Sequence, residues 1–195
     1  MKNSILDELK ESAQVLSTFI DNSLAIESIE KAIALMVASL ANGNKIISCG
    51  NGGSMSDAMH FAEELTGKFR EERKSIAAIA ISDPSYITCT ANDYGFECIF
   101  SRFIEGVGNK GDVLLAISTS GNSANVIEAV KAAKNKQMHV VALTGKDGGR
   151  LASLVDIEIR APHASYADRA QEVHIKVIHI LIKHIEQELL KYKLI

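Results

Sequence analysis

Residues 45–69, KIISCGNGGSMSDAMHFAEELTGKF, contain a glycine-rich turn between an apolar run and a segment of helical character. Gly50, Gly52 and Gly53 permit positive φ and close approach of a ligand to the backbone, and the first amides of a following helix attract an anion. Behind this turn, His60 and Glu64 are four residues apart, so they share one face of the helix. The segment therefore predicts a site for a phosphate or a sugar hydroxyl beside an acid/base or metal-binding pair.

A second segment, DVLLAISTSGNSANVIEAVKAAK at residues 112–134, repeats this pattern of strand, polar loop and amphipathic helix. Ser118, Thr119, Ser120 and Ser123 offer hydroxyl donors beside the expected helix start, which suits a phosphate monoester better than an extended dinucleotide. Each loop alone also has a structural interpretation, since Ser and Asn cap helices and Gly occupies turns. The two loops together favour a ligand site.

The last predicted helix carries ADRAQEVHIKVIHILIKHIEQELL, with three of the six histidines of the chain. Gln171 and His179 lie on one row of this helix at a spacing of eight residues, whereas His174 lies off that row. A histidine among isoleucines is partly desolvated, which favours the neutral form needed for a base or a metal ligand. The alternative for His179 is a core histidine bonded to a backbone carbonyl, and the local sequence alone favours that alternative.

The segment SDPSYITCTANDYG, residues 82–95, follows the second predicted strand. We expect it to be a loop at the same edge of the sheet as the two ligand loops, because open α/β sheets bind ligands at the carboxyl ends of their strands. Asn92 and Asp93 are its candidate partners for sugar hydroxyls. The alternative is that these two residues simply form a turn, as Asn and Asp often do.

The composition is that of a globular protein: 195 residues, 47% hydrophobic and 23% charged, with a net charge of −3. A chain without basic excess is not expected to have nucleic acid as its main partner. Three cysteines without metal-type spacing predict free thiols in a reducing cytoplasm. The N-terminal residues are too polar for a signal peptide, and no apolar run approaches the length of a membrane span, so we expect no membrane partner.

Apolar runs alternate with helical patterns along most of the chain, which predicts a parallel sheet covered on both faces. We expect a single α/β domain over 1–195, a three-layer αβα sandwich with a five-stranded parallel sheet, in which 1–43 form N-terminal helices that assemble copies of the chain and 44–195 form the sheet and its covering helices. The predicted strands are 45–49, 75–81, 112–118, 139–144 and 157–160. The predicted helices are 5–20, 26–40, 54–69, 97–107, 123–136, a weak one at 148–154, and 166–193.

Four stretches together resemble a known family: CGNGGSMSDAMHFAEELTGKF, AISTSGNSANVI, LTGKDGG and YADRAQEVHIKVIHILI. They closely resemble the bacterial phosphoheptose isomerases, single-domain members of the sugar isomerase (SIS) superfamily. The resemblance implies an aldose–ketose isomerase that converts sedoheptulose 7-phosphate to D-glycero-D-manno-heptose 7-phosphate through an enediol, as the first step of heptose supply for lipopolysaccharide. It also implies a homotetramer with sites at subunit interfaces, and no nucleotide cofactor.

The resemblance implies roles for particular residues. The catalytic pair corresponds to Glu64 and His179. The family's zinc ligands, one ion per subunit, correspond to His60, Glu64, Gln171 and His179. The substrate contacts correspond to Asn51, Gly52, Gly53, Glu64, Asn92, Asp93, Ser118, Thr119, Ser120, Ser123 and Gln171. Because a neutral amide is an unusual zinc ligand and a ligating Glu is a poorer base, acid/base chemistry ranks above metal chemistry.

Two other function classes fit the same fold. One is a non-catalytic relative, such as the isomerase-like scaffold that binds the bacterial replication initiator. The other is a sugar-phosphate-sensing regulatory module, although such modules come joined to a DNA-binding domain and this chain has no residues left over for one. The presence of Glu64 and His179 together with the whole hydroxyl loop favours the enzyme over both alternatives.

Overall fold

The computed structural model describes residues 1–195 and has a five-stranded parallel sheet at its centre, with strand order β2-β1-β3-β4-β5. The strands are β1 (Ile46–Gly50), β2 (Ala78–Ala80), β3 (Val113–Ser118), β4 (His139–Thr144) and β5 (Ile157–Arg160). Every residue of β1 and β3 is buried, as expected for strands that are covered on both faces. The predicted parallel sheet is confirmed.

Seven helices surround the sheet: α1 (Lys2–Ile20), α2 (Ser23–Ala41), α3 (Gly53–Thr66), α4 (Pro84–Tyr94), α5 (Ile99–Val107), α6 (Ala124–Asn135) and α7 (Ala167–Lys191). On one face of the sheet, Leu115 shares a core with Phe61 of α3 and Val177 of α7. On the other face, Leu114 shares a core with Phe100 of α5. Successive strand residues therefore serve opposite cores, and the three-layer αβα sandwich is confirmed.

The first helix packs loosely. Phe19 is the only buried residue of α1, and Ile5, Leu6 and Leu9 are exposed. The second helix is better packed and buries five residues, among them Met36. Part of the apolar surface of the N-terminal helices thus has no partner within the chain.

Several element boundaries differ from the sequence prediction. The third helix ends at Thr66 rather than at residue 69, and β2 has three residues rather than seven. The amide of Ile76 donates to the carbonyl of Leu65 at 3.0 Å, so Ile76 bonds to the end of α3, whereas the Ala77 carbonyl still accepts from the Ile46 amide of β1 at 3.0 Å. The weak helix at 148–154 is a single 3₁₀ turn, Leu151–Ser153, and α5 follows another, Phe96–Cys98.

One helix was missed entirely, because the predicted loop at 82–95 is in fact α4. The Asp83 carboxylate accepts from the amide of Tyr86 at 2.7 Å, and Pro84 occupies the first turn. An N-cap carboxylate followed by proline is a strong helix start. Gly95, with φ of 94°, ends the helix. The turn-forming residues of this segment therefore mark the ends of a helix rather than a loop.

The amino ends of β1 and β3 are joined by a buried ion pair. The Asp112 carboxylate is 1% exposed and accepts from Lys45 Nζ, from the Lys45 amide and from the Asn109 amide. This network lies at the opposite end of the strands from the loops after Gly50 and Ser118. None of the seven helices is both long enough and apolar enough to cross a bilayer.

Candidate active site

The two predicted ligand loops lie side by side, because β1 and β3 are neighbours in the sheet and both loops follow their carboxyl ends. The side chains of Asn51 and Asn125 join the loops through two reciprocal amide hydrogen bonds of 2.8 Å. Asn125 is 2% exposed and Asn51 is half-buried, so the Asn125 side of this pair is shielded from water. The strand order reverses at this point, with β2 on the other side of β1, which is where α/β sheets bind ligands.

Both loops lead into helices that lack a side-chain cap. Gly52 precedes α3 and Ser123 precedes α6, and neither makes a capping bond. In contrast, Asn22 caps α2 and Asp83 caps α4 through their side chains. Side-chain capping by Ser123 is therefore not observed, although Gly52 does occupy a turn and Asn125 Oδ1 accepts from the Val126 amide at 3.0 Å. Uncapped first-turn amides are the groups that bind phosphate or carboxylate at a helix start.

The hydroxyl loop, Ser118–Ser123, contains hydrogen bonds between its own residues. Ser118 Oγ and Ser123 Oγ are 3.0 Å apart, and Ser120 Oγ accepts from the Asn122 amide at 3.2 Å. Thr119 and Ser120 are half-buried. The four predicted phosphate contacts thus lie on one tight turn at the start of α6.

The polar turn Gly145–Gly149, which follows β4, packs against the hydroxyl loop. Gly121 has φ of 64°, and a Cβ at Gly121 would lie 1.9 Å from the carbonyl oxygen of Gly148. The Arg150 amide donates to Asn122 Oδ1 at 3.0 Å. The turn between β4 and β5 therefore fixes the backbone of the hydroxyl loop.

A cluster of acid/base side chains lies beside the first loop, where α3 meets α7. The Nε2 atoms of His60 and His179 are 3.0 Å apart, and Glu64 Oε1 is 3.7 Å from His60 Nε2. His60, Glu63 and Glu64 have ligand atoms that all lie within 4.8 Å of one another, and His179 joins this group through His60. The cluster has two imidazoles and two carboxylates, of which Glu63 was not predicted.

His179 lies in a partly apolar setting. The Phe69 ring stacks on it at a centroid distance of 5.9 Å and an angle of 26°. Burial, followed by the neighbouring His60, lowers the pKa of His179, whereas Glu64 acts in the opposite direction. The predicted neutral imidazole is therefore supported.

The local sequence favoured a core histidine bonded to a backbone carbonyl at residue 179, but His179 is only partly buried and its Nε2 contacts His60 Nε2 instead. The structural role belongs instead to His174, which is completely buried with Nε2 2.8 Å from the carbonyl oxygen of Thr144. Both histidines have apolar neighbours in the sequence, so only the position of α7 against the rest of the chain distinguishes them.

Gln171 lies against the first loop. A Cβ at Gly53 would be 2.6 Å from Gln171 Nε2, so this contact needs glycine at residue 53. Gly52 has φ of 55°, the conformation that its predicted role requires. Gln171, Gly52 and Gly53 therefore come together as predicted.

Asn92 and Asp93 lie elsewhere. Both are exposed in the last turn of α4, where Asn92 Nδ2 donates to Asp93 Oδ1 at 2.8 Å and Cys89 Sγ is 3.6 Å from Asp93 Oδ2. No hydrogen bond joins either residue to the two loops. The chain by itself does not bring these two predicted substrate contacts into the site.

Sequence reasoning also missed Asp57, one turn before His60 on α3. Its Oδ2 is buried without a hydrogen-bond partner, and burial raises the pKa of Asp57 to about 6, against the opposing effect of His60. The i, i+3 spacing of Asp57 and His60 was a usable signal. In contrast, nothing in the local sequence indicated that Asn125 would be buried and bonded to Asn51.

Comparisons with known proteins agree with this geometry. The SIS domain family matches residues 9–145. A phosphoheptose isomerase of Cytophaga hutchinsonii is 63% identical over 97% of this chain and 100% of its own length. One of Escherichia coli O7:K1 is 59% identical over 96% of this chain and 97% of its own length.

Solved structures give the same result. A phosphoheptose isomerase from Neisseria gonorrhoeae has a TM-score of 0.89 at 43% identity, over 95% of this chain and 98% of that one. One from Francisella tularensis has a TM-score of 0.90 at 38% identity, over 95% and 97%. The chain therefore belongs to the SIS domain family and, within it, to the phosphoheptose isomerases.

Proposed function

We propose that this chain is an aldose–ketose isomerase that converts sedoheptulose 7-phosphate to D-glycero-D-manno-heptose 7-phosphate, and so supplies heptose for surface polysaccharide. The observation that carries the proposal is the contact between His60 on α3 and His179 on α7, with Glu64 alongside. Identity of 59% and 63% to proteins named phosphoheptose isomerase, over nearly their full lengths, supports the same reaction here.

The substrate has an anionic end and a reacting end, and the site offers a place for each. We assign the phosphate to Ser118, Thr119, Ser120 and Ser123 at the uncapped start of α6. The first loop, with Asn51, Gly52, Gly53 and Gln171, would hold sugar hydroxyls. The Asn51–Asn125 bonds support this assignment, because they fix the distance between the two binding regions.

Isomerisation moves one proton between the first and second carbons and another between their oxygens, through a cis-enediol. We assign Glu64 as the base for the carbon proton and His179 as the group that exchanges the oxygen proton. The lowered pKa of His179 supports this role, since a neutral imidazole can both accept and return a proton near neutral pH.

The donor set fits zinc, which accepts imidazole nitrogen and carboxylate oxygen. His60 Nε2 is 3.0 Å from His179 Nε2 and 3.7 Å from Glu64 Oε1. Two ligand atoms on one tetrahedral zinc ion are expected about 3.3 Å apart, which lies between these two distances. His60, Glu64, Gln171 and His179 would hold one ion per subunit. When bound, zinc would stabilise negative charge on the substrate oxygens. Rates that are unchanged after chelation and zinc addition would exclude an obligatory ion.

We also propose a homotetramer in the cytoplasm. Residues 1–43 contain exposed apolar side chains on α1, and an apolar groove of about 730 Å³ lies between α2 and α7, lined partly by Ile26, Ile33 and Ile180. Light scattering of Ile33→Glu tests this: loss of assembly is expected, and an unchanged mass contradicts it.

The decisive experiment is incubation with sedoheptulose 7-phosphate in D₂O. An enediol mechanism predicts aldose product and deuterium on the carbon that exchanged its proton with solvent. Deuterium at the second carbon of the product distinguishes the enediol route from a direct hydride shift, and the absence of aldose product contradicts the proposed activity. Binding of the sugar phosphate without turnover would instead indicate a scaffold or a sugar-phosphate sensor.

A further inference from the structure

Arg73 lies in the connection between α3 and β2, and its side chain is completely buried. The guanidinium donates to three carbonyl oxygens at the end of α3: Glu64 at 2.7 Å, Leu65 at 2.9 Å and Gly67 at 2.9 Å. These carbonyls have no helical partners, because a helix leaves its last four acceptors free. Arg73 therefore holds the turn of backbone that carries Glu64.

The same guanidinium reaches α7. Its Nε donates to Glu186 Oε2 at 2.8 Å, and the amide of Glu71 donates to the other carboxylate oxygen at 3.3 Å. Glu186 is 2% exposed and is seven residues after His179, so the two share one face of the helix. One buried cation thus joins the Glu64 turn of α3 to the His179 face of α7.

We propose that Arg73 and Glu186 are positioning residues for the isomerisation, because they fix the separation of Glu64 and His179. This inference rests on the proposed function. The planar guanidinium matters, since it contacts four carbonyls, among them that of Lys74, and a carboxylate at once, which a lysine ammonium cannot do in this geometry. Stability alone is a weak reason for a buried ion pair, because apolar replacements are often equally stable.

The test compares Arg73→Lys and Glu186→Gln with the wild-type chain in steady-state kinetics. We expect kcat to fall about 10- to 100-fold, as misplacement of reacting groups by about 1 Å does. KM should stay within about threefold, because the hydroxyl loop on α6 does not contact the pair. The double variant should lose no more than the worse single variant, since either change breaks the same link.

Asp112→Asn is the matched control. It removes an equally buried, ion-paired carboxylate, but at the amino ends of the strands, away from the site. We expect it to lower the free energy of unfolding and leave kcat unchanged. An equal loss of kcat in this control, or unchanged kcat in Arg73→Lys and Glu186→Gln, would overturn the proposal.

A crystal structure of Glu186→Gln gives a readout that does not depend on turnover or on the folding of Arg73→Lys. The distance between the Glu64 carboxylate and His179 Nε2 should increase relative to a crystal structure of the wild-type chain. An unchanged separation contradicts the positioning role. If the wild-type chain does not isomerise the sugar phosphate, the proposed function fails, while this distance still tests whether the pair sets the geometry.

Discussion

The Nε2 atoms of His60 and His179 lie 3.0 Å apart, although 119 residues separate them in the sequence. At this hydrogen-bond distance one Nε2 donates and the other must accept, and an imidazole with an accepting nitrogen is neutral. The pair therefore favours at least one neutral ring, which is the state that proton transfer or metal binding needs. The packing of α3 against α7 creates this state.

Glu64→Gln should abolish turnover and keep substrate binding, because it removes the proposed base without changing side-chain volume. We expect kcat to fall about 100- to 10,000-fold, the usual contribution of a general base. Glu128→Gln is the control, because this carboxylate lies on α6, pairs with Lys131 and is not part of the cluster, so its kcat should not change. Calorimetric titration with the sugar phosphate and a turnover assay measure both effects. A Glu64→Gln enzyme with most of its rate would refute the assigned base.

Asn125→Ala should raise KM about tenfold, because it removes the two hydrogen bonds that join the loops proposed to bind opposite ends of one substrate. It should also cost about 1–3 kcal/mol of stability, since the Asn51 amide loses its buried partner. Asn135→Ala, at the exposed end of the same helix, is the control and should change neither value. Steady-state kinetics and denaturant unfolding report the two effects. If Asn125→Ala and Asn135→Ala have the same KM, the Asn51–Asn125 hydrogen bonds do not position the two loops for substrate binding.

Phe69→Leu should shift the acid limb of the pH profile of kcat/KM upward. Loss of the ring exposes the imidazole of His179, so its lowered pKa returns toward the ordinary value of 6.5. We also expect kcat to fall about three- to tenfold, from the loss of a stacking contact. Phe69→Tyr keeps the ring and should retain the wild-type profile. Identical profiles for the Leu and Tyr variants would show that the stack does not tune His179.

His174 should make the fold acid-sensitive. Burial lowers the pKa of His174 to about 4, and its Nδ1 has no acceptor for a second proton. The unfolded chain binds that proton near pH 6.5, so the stabilisation is complete above pH 6.5 and is lost as the pH falls toward 4, by about 3 kcal/mol. Unfolding free energies at pH 7 and pH 4 measure this. His174→Gln should flatten the dependence, and an equally steep variant contradicts the assignment.

Much of the fold could be predicted because its signals are local. Continuous apolar runs identified the strands, and β1 and β3 are indeed buried throughout. The helix at 84–94 was missed because Asp83, Pro84 and Gly95 are typical of turns as well as of helix ends. The pairing of Ile76 with Leu65, which shortens β2, depends on packing and has no local signal.

The candidate site divides in the same way. The spacing of His60 with Glu64, and of Gln171 with His179, correctly placed each pair on one helix. Which histidine of α7 would face α3 depended on the rotation of that helix, which periodicity alone does not determine. The partners of Arg73 are even less predictable. They are backbone carbonyls near residue 64 and the carboxylate of Glu186, which lies more than a hundred residues later.

Because Cys89 contacts Asp93, a label on this cysteine would lie beside a predicted substrate contact. Cys89 is exposed on α4, whereas burial raises the pKa of Cys49 to about 12 and leaves that thiol unreactive at neutral pH. In a Cys98→Ser background, a maleimide dye would therefore attach at one position, four residues from Asp93. Fluorescence from that dye would report directly when another molecule approaches this helix.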